Sequence, residues 1–115
     1  MRDALTDVFA ALADQTRREI YERLLESPLG KTATELADGA HVSRQAIVKH
    51  LQILTRSDLA KVRRQGREVR YFVTPNGTAR ASKWLQESAG AWDRRIAALK
   101  EQIRTSSETH QSRQT

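Results

Sequence analysis

Arg44, Gln45, Val48, Lys49 and Gln52 fall on spacings that line one side of a helix, opposite Ala46, Ile47, Leu51 and Leu54. Those side chains have the chemistry of base readout. An arginine fork matches guanine O6 and N7, a glutamine amide matches adenine N6 and N7, and a valine methyl packs on the thymine methyl. Ser43 precedes the helix and suits a phosphate contact at its N-terminus. The start of such a helix enters the groove, so Arg44, Gln45 and Val48 are the base-contact candidates. Lys49 suits a phosphate. His50, near the inward edge of the helix, is placed with this set as a packing or phosphate-contact residue.

A second group follows. Arg63, Arg64, Gln65, Arg67 and Arg70 surround Gln65-Gly66, where the apolar period changes to two. That is the signature of a hairpin with Gly where positive φ is needed, and its arginines can straddle phosphates or enter a minor groove. The charge is concentrated here. From His41 to Arg70 the chain has eight Lys and Arg against Asp58 and Glu68, a net of +6, equal to the net charge of all 115 residues. No acid lies between Asp38 and Asp58. A polyanion-binding surface is thus built into one motif.

The elements that must position these residues are legible in the spacing. Leu5, Val8, Phe9, Leu12 and Ala13 predict a first helix over 4–13. Asp14 caps a second helix with Ile20, Leu24 and Leu25 as its buried stripe, ended by Pro28-Leu29-Gly30. Thr32 or Ala33 opens a short helix around Glu35, Leu36 and Ala37. Gly39 to Val42 make a turn, and Ser43 caps the reading helix, which closes at Asp58-Leu59. In the hairpin, Val69, Tyr71 and Val73 face the core while Glu68 and Arg70 face out. Pro75-Asn76-Gly77 is punctuation, and helical periodicity resumes near Thr78.

In the last helix Leu85, Trp92 and Leu99 interleave with Ala89, Ile96 and Ile103 at alternating spacings of four and three, an a/d heptad seam. The seam predicts a homodimer through the first and last helices, with Leu5, Val8, Phe9 and Leu12 adding to Leu85, Ala89, Trp92, Ile96 and Leu99. From residue 105 the chain is polar and free of large apolar residues. The division is therefore a winged, dimerising domain over 1–104 and a polar flexible tail over 105–115.

At 115 residues with 38% hydrophobic content one small domain is expected, its core completed by a second subunit. The absence of cysteine excludes disulfides, thiolate metal sites and thiol redox sensing in this sequence. His41, His50 and His110 have no zinc-site spacing, so no metal and no cofactor are expected. Ser43 and His50 are about 10 Å apart by helical rise, too far for a nucleophile and its base. With no Gly-rich phosphate loop either, the residues support no enzyme. No apolar run approaches a membrane span and no secretory signal opens the chain, so a cytoplasmic location is expected.

Three stretches, FAALADQTRREIYERL, TELADGAHVSRQAIVKHLQIL and LAKVRRQGREVRYFV, together resemble the ArsR/SmtB family of bacterial winged helix-turn-helix repressors over nearly the whole chain. The resemblance implies a mainly α fold with a small β-hairpin wing, and a dimeric repressor on an imperfect inverted repeat of duplex DNA. Metal sensors of that family carry a cysteine pair on the short helix before the turn. Here that stretch reads KTATEL, and residues 76–105 contain no His, so the resemblance is to a branch without those sensor sites. Relatives often have Ser where Val48 stands, which implies a different base preference. The rival expectation is a winged-helix module that docks a protein and binds nucleic acid only non-specifically. The sequence names neither an operator nor a small-molecule or protein effector.

Overall fold

The computed structural model describes residues 3–114, with side chains described as far as residue 108. His110 therefore lies outside the described side chains, and Thr115 outside the described residues. The chain divides into two units, Met1–Ala81 and Ser82–Thr115.

The first unit begins with α1 (Ala4–Leu12) and α2 (Gln15–Leu25). Asp3 and Asp14 cap them, their carboxylates accepting from Thr6 N at 2.7 Å and Arg17 N at 3.0 Å. The Arg17 guanidinium turns back to donate to Ala11 O at 2.8 Å and Ala10 O at 3.2 Å, closing carbonyls at the end of α1. Val8, Ile20 and Leu24 are buried as their spacing predicts. Leu25 is not: it is 54% exposed. It lies about 140° round the helix from Ile20, which rotates it out of the stripe.

Next come β1 (Lys31–Thr32), α3 (Ala33–Ala37) and α4 (Arg44–Arg56). Thr32 and Glu35 form a capping box at α3. Ser43 Oγ caps α4 by accepting from Ala46 N at 3.1 Å. Ile47, Leu51 and Leu54 are fully buried, whereas Ala46, expected with them, is only half-buried.

The wing is β2 (Ala60–Gln65) and β3 (Glu68–Val73) around Gly66, at φ +63°. β1 adds an unforeseen third strand, in the order β1-β3-β2, pairing Lys31 with Tyr71 and Thr32 with Arg70. Two residues carry no periodicity, so spacing alone had nothing to detect. Gly30 makes the pairing possible. Its φ is +76°, and a Cβ there would lie 2.7 Å from the Phe72 ring and 2.9 Å from Tyr71 O. Tyr71 and Val73 are half-buried and packed on the core, whereas Val69, expected with them, is half-buried but lies outside that cluster.

The last helix, α5 (Pro75–Gln114), starts earlier than its apolar pattern. Pro75 opens it where it was expected only to interrupt the chain, because a helix's first residue needs no N–H partner. In the second unit the backbone stays helical past Ile103, the last large apolar residue, so the polar segment expected as a flexible tail continues the helix to Gln114. Along it Leu85, Trp92, Ile96, Leu99 and Ile103 are exposed, at 46–67% of their full area.

Candidate nucleic-acid interface

The N-terminal half of α4 and the wing flank an open groove of about 800 Å³. Its walls include Thr34 and Glu35 of α3, Arg44 and Val48 of α4, and Arg67, Arg70 and Tyr71 of the wing. Ser43, Arg44, Gln45, Lys49 and Gln52 are all exposed on α4. The Ser43 hydroxyl, while capping, keeps its hydrogen free to donate to a phosphate.

Arg44 is already oriented: its Nε donates to Thr34 Oγ1 at 3.0 Å. That leaves its terminal nitrogens to form a fork. Val48 departs from expectation. It is half-buried and packs against the core cluster while still lining the groove, because it follows Ile47 by one residue and shares the edge of its stripe.

Of its two expected roles, His50 takes packing. It is half-buried, and its Nδ1 lies 3.5 Å from Arg17 Nη1. This places it on the α1–α2 side of α4, as a packing residue behind the reading face. Its charge also contributes to holding the Asp14 carboxyl below the usual range, after the larger effect of the Arg17 N–H and the Arg17 charge.

On the wing, Arg63, Arg64, Gln65 and Arg67 are exposed. Arg63 stacks on Phe72, 5.7 Å from the ring centroid. Arg70, expected to face out beside them, is instead committed. Its side chain is 23% exposed and meets Glu68 at 3.0 Å and Glu35 at 3.3 Å. It also donates to Gly30 O at 3.3 Å.

Spacing missed Thr34 and Glu35, which hold arginines on the two sides of the groove. The detectable signal was the T-x-x-E run from Thr32 to Glu35, a capping-box signature. The Glu35 carboxyl is held below its usual value, chiefly by the Thr32 N–H, which outweighs the opposing cost of desolvation; the Thr32 hydroxyl and the Arg70 and Lys31 charges add smaller lowering effects.

The residues expected at a dimer contact differ in exposure within each unit. Leu85, Ala89, Trp92, Ile96 and Leu99 are all exposed on the second unit, and Arg95 lies over Trp92 at 5.9 Å. In the first unit Phe9 is 36% exposed and Leu5 and Leu12 are half-buried. Val8 is fully buried in its own core and has no surface to offer a partner.

A family model described as a helix-turn-helix domain matches residues 12–63. The arsenical resistance operon repressor of Escherichia coli (strain K12) is 33% identical over 93 residues, covering 80% of this chain and 78% of that one. The solved structure of an ArsR-like transcriptional regulator from Rhodococcus sp. RHA1 is 40% identical, with a TM-score of 0.75 over 85% of this chain and 91% of that one. The chain belongs to the ArsR family.

Its membership makes it a transcriptional regulator with a winged helix-turn-helix. Another relative, an HTH-type transcriptional regulator of Mycobacterium tuberculosis (strain ATCC 25618 / H37Rv), is 44% identical over 69 residues, 60% of this chain. That match spans 63% of the relative's length, less than two thirds of it. At the stretch where resemblance places the thiolate pair of metal sensors, this ArsR chain has the Thr32–Glu35 capping box. Among the described residues no helix is long and apolar enough to cross a membrane.

Proposed function

We propose that the protein is a homodimeric repressor that occupies an inverted-repeat operator. Arg44, Gln45 and Val48 read base edges at the start of α4, while Ser43, Lys49 and Gln52 hold its backbone register. Arg63, Arg64, Gln65 and Arg67 carry the wing onto flanking phosphates. The observation that carries this reading is the groove between α4 and the wing, with the chain's charge surplus around it and Arg44 already held by Thr34. Two such helices, one per protomer, would enter successive major grooves about 34–36 Å apart. The heptad seam, exposed along α5, supports a second copy as its partner.

The test is titration of the purified protein against its own upstream DNA and a scrambled duplex, at two salt concentrations. The expected outcome is preference for the upstream fragment, a two-fold symmetric footprint and steep loss of affinity with salt. Equal, salt-sensitive binding to both duplexes would move the operator to another promoter. No binding at physiological salt would replace the repressor with a protein-docking module.

A further inference from the structure

We infer that Glu35 is a positioning residue for DNA binding: through Arg70 it latches the wing to α3 and so sets the width of the groove that receives the duplex. The inference rests on the DNA-binding reading above and adds a residue to it.

Glu35 is a fixed post. Its Oε1 accepts from Thr32 N at 3.3 Å while its own N donates to Thr32 Oγ1 at 3.1 Å. The helix that carries it is braced from α2, where Arg23 donates to Leu36 O at 2.5 Å and Glu35 O at 3.3 Å. Arg70 is the other half of the latch. It sits within β3, paired across the ladder with Arg63 on one side and Thr32 on the other. One guanidinium thus joins β3 to the carboxylate of α3, to the Gly30 carbonyl before β1 and to Glu68 near the wing tip. Beyond Thr32 the tip has no third strand, so this ion pair is the outermost tie between wing and helix-turn-helix among the described residues that line the groove.

An arginine meant for a phosphate keeps its fork free, whereas this one faces two acids. Those acids border a surface built to attract a polyanion. By charge alone, Glu35 should hinder DNA binding, and removing its charge should help. A latch requires the opposite sign, which separates the two roles.

Glu35→Gln is the decisive variant. Glutamine serves at this position of a capping box as well as glutamate, so α3 keeps its cap and only the ion pair is lost. We expect binding to the upstream duplex to weaken by about two- to fivefold, the range that exposed ion pairs support, with an unchanged slope of log affinity on log salt. Arg70→Gln should weaken binding similarly, also without changing the slope. In the free protein, both single variants should speed amide hydrogen exchange across the wing from Gln65 to Arg70.

Tighter binding by Glu35→Gln would overturn the latch. So would a slope reduced by about 0.9 in Arg70→Gln, which would make Arg70 a phosphate contact. If the wild type binds neither duplex, the DNA-binding reading fails by itself, and the latch is judged on exchange alone. Unchanged wing exchange in Glu35→Gln would then overturn it.

Discussion

Arg44 shows how a single side chain can be readied for a base before DNA arrives. With Nε engaged by Thr34 at 3.0 Å, the side chain gives up rotamer freedom in the free protein, freedom that a long, mobile arginine would otherwise lose on binding. Arg44→Ala should therefore cost about 1–3 kcal/mol of operator affinity and relax preference at one base pair, read by titrating duplexes substituted one position at a time. An equal loss on every duplex would demote Arg44 to a phosphate contact. Three carboxyls, Asp3, Asp14 and Glu35, are held below their usual values, each first by a backbone N–H, from Thr6, Arg17 and Thr32. A carboxyl depressed in the folded state stabilises it above the unfolded pKa, and that stabilisation is lost as pH falls through the folded value. Melting temperature should hold steady at neutral pH and fall below about pH 4. Asp14→Ala should remove about 1 kcal/mol by loss of the cap and blunt that acid dependence; a variant with the wild-type acid profile would remove Asp14 from the account.

The two elements of the interface are built for different work, and salt separates them. α4 is rigid, with Ile47, Leu51 and Leu54 fully buried beneath its reading face. Leu51→Ala should cost about 2–5 kcal/mol of stability. The wing is a two-strand ribbon whose tip, Arg64 to Arg67, is exposed. Arg64→Ala and Arg67→Ala should each weaken binding to all duplexes alike and reduce the salt slope by about 0.9. A loss confined to one sequence, with the slope intact, would instead mean that the wing reads bases. These elements were readable because caps and alternation are local: Asp14 and Ser43 cap where spacing places them, and Gly66 takes the positive φ of the hairpin. Leu25 was misplaced and Val48 is half-buried because each sits at the border of a helical stripe, where one residue's rotation separates inside from outside.

At the scale of the whole molecule, the question is what covers α5. Leu85, Trp92, Ile96 and Leu99 stand 46–60% exposed along one helix, a continuous apolar seam that water disfavours. Trp92→Arg should yield monomers in sizing experiments and lose most affinity for an inverted repeat while keeping non-specific binding. A tight dimer in that variant would discard the seam. Val8 contributes nothing to such a contact, since its own core already buries it.

Much of this protein is determined locally. Capping residues, heptad spacing, a hairpin glycine and a charge surplus confined to residues 41–70 are properties of neighbours in the chain, and they suffice to order the elements and mark the surface that meets a polyanion. Only tertiary structure decided the rest. That Arg70 would turn to Glu35, that His50 would meet Arg17, that Thr34 would hold Arg44 and that Lys31-Thr32 would become a third strand all depend on residues brought together across ten to forty positions of sequence. No period or composition encodes those meetings, because each is fixed by how packed elements approach one another and by which polar group then needs a partner.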